Sequence, residues 1–246
     1  MSNNEVEIIK KIEHPNIIKL FDIFESENTL YFVMEVVDGG DLFDWIIERD
    51  QYSEENAKQI VRKLFSALEY LHSLGIFHGN LKPENLLVDA LYATIKVADF
   101  GLNRVYGENM MATFKNFLNP VYIAPEVLEC TTCGKEADMW SAGVITYMLL
   151  CGYPPFYSEN EPDFFESILG ASYTFHSPYW DPISGDAKDL ICHLLVVDPK
   201  KRLTATEALD HPWFTIESDN STLPLSEMRE IFKIYYHDRK SHVGKK

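Results

Sequence analysis

Residues 76–88, IFHGNLKPENLLV, set His78, Gly79, Asn80, Lys82, Pro83, Glu84 and Asn85 between two apolar flanks, Ile76-Phe77 and Leu86-Leu87-Val88. Glycine and proline punctuate a backbone, so the stretch is a turn held by its buried ends and built to present side chains. Upstream, Ser53-Glu54-Glu55 caps and charges the start of a helix. Its apolar positions, Ala57, Ile60, Val61, Leu64, Phe65, Leu68 and Leu71, recur at three and four residues up to Gly75. That helix is scaffold, and it delivers the turn. Downstream, Asp99-Phe100-Gly101 follows Val88 by eleven residues. The most apolar run, Met139 to Cys151, is too short to span a bilayer and contains Ser141, Gly143 and Thr146, so it reads as a buried helix.

Composition bounds the rest. At 246 residues, 46% hydrophobic and 13% aromatic, the chain can bury one extensive core or two lobes. With 22 basic against 38 acidic residues its formal charge is −16, which argues against nucleic acid or anionic membrane and for cationic peptide or protein surfaces. Four cysteines do not make a disulfide framework, and no charged-then-apolar leader opens the sequence, so a reducing intracellular compartment is expected, cytoplasmic or nuclear. Cys130-Thr131-Thr132-Cys133 is a lone CxxC; without a second ligand pair it reads as two ordinary thiols.

The turn resembles the catalytic loop of eukaryotic protein kinases, usually HRDLKPEN, and Asp99-Phe100-Gly101 resembles the metal-binding DFG turn of that family. Ala124-Pro125-Glu126 matches the APE motif, and Asp138-Met139-Trp140-Ser141-Ala142-Gly143 falls where the family places its buried central helix. SPYWDPIS, AKDLI and HPWF are most similar to the calcium/calmodulin-dependent kinase group. The resemblance implies an α+β fold with a partial small lobe over residues 1–35, a mainly α-helical large lobe over 36–214, and a linker, short helix and basic tail over 215–246. Val6, Ile8, Ile9 and Ile12 form one helical stripe ended by His14-Pro15-Asn16, and Ile17–Phe24 with Leu30–Val37 reads as a hairpin about the polar turn ESEN. Only four residues precede Glu5, so the glycine-rich loop and lysine strand, within the first three strands of the family, have no room in this sequence. The expected consequence is an exposed apolar surface around Ile9, Leu20 and Phe32 that self-associates or takes a covering partner.

By the same resemblance, the backbones of Glu35 and Val37 face an adenine, Met34 guards the pocket behind it and Leu87 lies beneath it. Lys82 neutralises the transferred phosphoryl group, Asn85 and Asp99 hold magnesium, and Asp41 and Glu84 meet a basic peptide substrate. Glu5 matches the helix glutamate that pairs with the absent lysine. ATP and Mg2+ are the implied cofactors, and calmodulin binding has no support in these residues. Ile9, Leu20, His78 and Phe100 match a stack of apolar groups linking the lobes, anchored by Asp138. Arg202 matches the arginine paired with the APE glutamate, here Glu126; Thr204-x-x-Glu207 is a capping box.

Two departures matter as much as the matches. Where the family has Arg-Asp, this chain has Gly79-Asn80. Asn80 keeps the shape of aspartate, but an amide cannot take the substrate hydroxyl proton, and loss of a positioned base costs on the order of 10²–10⁴-fold. The family uses that arginine to hold a phosphate on the activation segment. Counting back from Pro120-Val121-Tyr122, the usual acceptor falls on Lys115 and the threonine facing the catalytic loop on Asn119. The implied function is a serine/threonine kinase-like domain, dead or severely impaired, with weak or lost ATP binding, acting as a binding or scaffolding module. The alternative is an atypical active kinase of the calcium/calmodulin-dependent group whose sequence is truncated at its N-terminus. In the tail, Leu225, Met228, Phe232 and Tyr235 stripe a short helix that reads as docked on its own lobe.

Overall fold

The computed structural model describes residues 9–26, 29–49, 52–89, 94–100, 120–131 and 134–215. Glu5, Lys115, Asn119, Cys133 and the tail stripe therefore lie outside the described residues. The architecture is α+β: a hairpin, then a helical body with a second small sheet at its edge.

Strand β1 (Leu20–Ser26) pairs antiparallel with β2 (Thr29–Met34), from Leu20↔Met34 to Ser26↔Thr29. The hairpin starts later than the apolar run at Ile17 suggests, because residues 16–18 belong elsewhere. Asn16 is buried, and a buried carboxamide must find acceptors. Its Nδ2 donates to Ile95 O and Thr94 Oγ1, both at 3.0 Å, while Val97 N donates to Asn16 O at 2.8 Å. Ile17 thus bridges Val97 in parallel, against the edge of the sheet made by β3 (Leu86–Asp89) and β4 (Thr94–Val97).

The exposed apolar surface expected around Ile9, Leu20 and Phe32 is made by their neighbours. Ile9 and Leu20 are buried and Phe32 is half-buried; the exposed apolar side chains near the hairpin are Phe21, Phe24, Tyr31, Val33, Met34 and Val36. Successive strand residues point to opposite faces. Leu20 and Phe32 share the face that packs on Ile9 and Phe100, around a cavity of about 50 Å³.

After β2 the chain lies against β3, with Gly39 N donating to Val88 O at 3.0 Å and Val88 N to Gly40 O at 2.9 Å. A Cβ on Gly39 would stand 2.3 Å from Val88 O, so only glycine permits this approach. Helix α1 (Leu42–Ile47) follows, and then α2 (Glu54–Ser73), whose capping box uses Asn56 where glutamate or glutamine is usual. Glu54 does more than charge a helix start: its buried carboxylate accepts from Ser184 N at 2.9 Å, from the Ser184 hydroxyl and from Trp213 Nε1 at 2.8 Å. It ties the front of α2 to the C-terminal helices.

The short α3 (Pro125–Leu128) precedes α4 (Lys135–Cys151), which is buried at every position from Ala137 onward. Encased on all sides, α4 has no amphipathic stripe, as its sequence suggested. Against it pack α2 and α6 (Gly185–Leu194), while α5 (Glu161–Leu169) lies on α3, α7 (Ala205–Leu209) on α2, and α8 (Pro212–Thr215) on both α6 and α2. Among the described residues no helix is long and apolar enough to cross a membrane.

Candidate functional site

Helix α2 ends at Ser73, and Ile76 N returns to Leu71 O at 3.0 Å, so the turn leaves directly from the scaffold. The turn is then suspended from one side chain of α4. Asp138, 1% exposed, accepts from His78 N at 2.7 Å, Gly79 N at 2.8 Å and His72 Nε2 at 2.8 Å. Gly79 adopts φ +75°, a conformation that strains any residue with a Cβ. The glycine that removes the family's guanidinium also removes that strain.

His78 sits beneath. Asn80 N donates to its Nδ1 at 3.3 Å, so the proton is on Nε2, which donates to Ala98 O at 2.9 Å. Burial lowers the pKa of this ring, keeping it neutral, against weaker opposing pulls from Asp138, the Ala98 carbonyl and Asp99. Of the stack expected from the sequence, Ile9, Leu20 and Phe100 line one cavity, and His78 is buried as they are.

Asn80 and Asn85 are joined through the backbone, Asn85 Nδ2 donating to Asn80 O at 2.8 Å. That bond uses the nitrogen of Asn85 and leaves Oδ1 as the atom it could offer a metal. Ala98 N donates to Asn85 O at 2.8 Å, extending the β3–β4 ladder and bringing Asp99 beside Asn85. Asp99 is exposed with φ 59°. One amide oxygen and one carboxylate are hard donors of the kind magnesium takes, completed by water and phosphate oxygens. The donor set fits. Lys82 is half-buried and shares a cavity of about 30 Å³ with Gly79, Asn80, Tyr122 and Ile123.

Met34, Glu35 and Val37, which the family resemblance makes the hinge of a nucleotide slot floored by Leu87, lie at the end of β2 and just beyond it. Met34 closes the cavity that also touches Asp99 and Phe100, Val37 packs on the core, and Leu87 stands on β3. Glu35 N donates to Lys19 O at 2.8 Å, leaving the Glu35 carbonyl as the group it can offer a base. The Glu35 side chain, for which the sequence suggests no role, pairs with Lys96 at 2.8 Å. Asp41 caps α1, accepting from Asp44 N at 3.0 Å. Glu84 Oε2 is buried and meets no donor among the described residues.

The wall beyond the turn is pinned by Arg202. Its Nη1 and Nη2 reach Glu126 Oε1 and Oε2 at 2.7 and 3.0 Å, and Nη1 also donates to Glu136 O at 2.6 Å. Ser141 Oγ holds Tyr122 O at 2.7 Å. A second group, Asp189, His193 and His211, lies within metal-ligand reach on α6 and before α8. Trp213 N donates to His211 Nδ1 at 3.2 Å, which puts the proton on Nε2, facing Asp189 Oδ2 at 3.0 Å. That arrangement is a hydrogen-bonded pair, with no lone pair on His211 turned toward a cation.

The protein kinase domain model matches residues 1–214. Myosin light chain kinase A of Dictyostelium discoideum is 50% identical over 229 residues, covering 92% of this chain and 77% of that protein. Calcium/calmodulin-dependent protein kinase type 1B is 51% identical over 218 residues in Rattus norvegicus and in Homo sapiens, covering 86% of this chain. The chain spans 62% of the length of those type 1B kinases. Matched by that domain from residue 1 to 214 and sharing half its residues with these kinases, this chain belongs to the protein kinase domain family.

Proposed function

We propose that this chain is a serine/threonine kinase-like domain that has given up phosphoryl transfer and serves intracellular signalling as a binding or scaffolding module for a protein or basic peptide. One observation carries the reading: a loop that keeps Lys82 and Asn85 presents Asn80 where a proton acceptor is needed. Lys82, Asn85 and Asp99 remain, so some contact with ATP and Mg2+ persists, weak or vestigial. Bound magnesium would supply charge neutralisation to the phosphates, held by Asn85 Oδ1 and Asp99. Lys82 adds a fixed cation beside them. Asn80 can orient a hydroxyl through its carbonyl oxygen but keeps no site for its proton. By the family resemblance, Asp41 and Glu84 are the acids that would meet a basic side chain of the partner.

The alternative, an atypical active kinase of the calcium/calmodulin-dependent group, draws its support from the buried stack and from the left-handed Asp99 backbone. A phosphate-incorporation assay with a basic peptide and MgATP separates the two, run beside a thermal-shift titration. We expect no incorporation above background and a midpoint rise of at most a degree or so at micromolar ATP, since ligand stabilisation follows affinity. Steady incorporation would refute the proposal.

A further inference from the structure

The hinge in this chain is fixed by a side chain from the opposite sheet. Lys96 Nζ reaches Glu35 Oε1 at 2.8 Å and Oε2 at 3.0 Å, with Lys96 11% and Glu35 27% exposed at the side chain. Lys19 N adds a third bond to Glu35 Oε2 at 3.1 Å, and Glu35 N returns to Lys19 O at 2.8 Å. The carboxylate is therefore held from two sides. Burial pushes the Glu35 carboxyl pKa up, but the hydrogen bonds from Lys96 and Lys19 N, with the charges behind them, bring it below its ordinary value, so it stays ionised at neutral pH.

Position gives this pair its significance. In the β3–β4 register Lys96 lies directly opposite Leu87. Cross-strand partners point to the same face, with Cβ atoms about 5 Å apart. In the proposed nucleotide slot Leu87 forms the floor beneath the adenine, and Glu35 belongs to the rim. Lys96 thus stands beside the floor and grips the rim. Beyond Lys96 the same strand direction leads on to Asp99.

We propose that Lys96 is a positioning residue of the nucleotide slot: by holding the Glu35 carboxylate it fixes the spacing between the hinge and the Leu87 floor, and with it the fit for a flat aromatic base. The inference rests on the residual ATP contact of the proposed function but not on whether phosphoryl transfer survives. A planar ring needs two faces at constant separation. A partly buried ion pair, little screened by salt, is a suitable spacer.

The test uses staurosporine, a flat hinge-directed ligand with no phosphate, so that affinity reports the slot alone, with MgATP as a separate arm. Lys96→Met should weaken staurosporine at least tenfold. Glu35→Gln, which keeps an acceptor for Lys19 N and so protects folding, should weaken it three- to tenfold. The exchanged pair Glu35→Lys/Lys96→Glu should recover affinity to within about threefold of the parent, which loss of a merely structural contact would not predict. An unchanged affinity in Lys96→Met, no recovery in the exchanged pair, or a parent chain that does not bind staurosporine would each overturn the proposal. Phosphate transfer by the parent in the MgATP arm would instead sink the proposed function and leave the spacer intact.

Discussion

Gly79 hangs from Asp138: its backbone N–H donates to Asp138 Oδ1 at 2.8 Å while its own φ is +75°. Asp138 holds two further donors, His78 N and His72 Nε2. Asp138→Asn keeps the volume but turns one acceptor into an NH₂ group facing N–H donors. A buried donor left without an acceptor, together with a lost charge-assisted bond, should cost about 3 kcal/mol, seen as a lower urea midpoint. Gly79→Ala should cost about 1–2 kcal/mol through its left-handed backbone alone. A midpoint for Asp138→Asn equal to the parent would show that α4 does not suspend the turn.

The neutral histidines make stability depend on pH. Burial lowers the pKa of His78 and of His14, whose Nδ1 accepts from Asn16 N at 3.1 Å and whose Nε2 faces Ser66 Oγ at 3.2 Å. Below the unfolded value of about 6.5 the unfolded chain binds more protons than the folded one, so stability is full above that pH and falls as pH drops beneath it. Denaturant titrations at pH 7, 6 and 5 should show a steady loss, and His78→Gln should show a shallower one. Glu35 acts in a lower window: its depressed carboxyl pKa contributes stability above its unfolded value that is lost as pH falls through the folded one. A flat profile from pH 7 to 5 would contradict the neutral tautomers of both rings.

Much of this is legible in the sequence because it rests on local chemistry. Ser53 and Thr204 announce helix caps, and the turn from His78 to Asn85 is one contiguous motif. Three partnerships stay hidden. Glu35 meets Lys96 across 61 residues, Glu54 meets Trp213 across 159, and His72 meets Asp138 across 66. No periodicity encodes such pairs, since each depends on how separate elements dock. Ile17 departs from the expected hairpin for a related reason: an apolar run fixes that a strand forms, whereas the buried Asn16 carboxamide chooses which sheet receives it.

Arg202 and Glu126 are both buried, and their two-point contact sets the wall of the site. Removing one partner leaves the other charge without compensation inside the protein. Arg202→Met or Glu126→Gln alone should therefore cost about 3–5 kcal/mol, whereas the double variant should cost clearly less than the sum. Urea unfolding of the four proteins closes the cycle. Additive costs would mean that the carbonyls of Val196 and Glu136, which also accept from Arg202, carry its role without the carboxylate.

Asn80→Asp alone should not restore phosphoryl transfer, although it repairs the most conspicuous departure. Its backbone contacts, to His78 Nδ1 and from Asn85 Nδ2, do not depend on the side chain, so the variant should fold as the parent does. What returns is a proton acceptor, a contribution of roughly 10²–10⁴ in rate. The larger share of this chemistry is positioning and charge stabilisation of a nucleotide, and losses acting on one transition state do not reverse singly. Gly79 still offers no guanidinium to order the activation segment. Phosphate incorporation into a basic peptide should be measured for the parent, for Asn80→Asp, and for Asn80→Asp fused behind a kinase small-lobe segment carrying a glycine-rich loop and lysine. Signal is expected only in the fusion. Robust turnover by Asn80→Asp without the fusion would show that this chain already holds a nucleotide well enough for catalysis, and that Asn80 was the sole chemical defect.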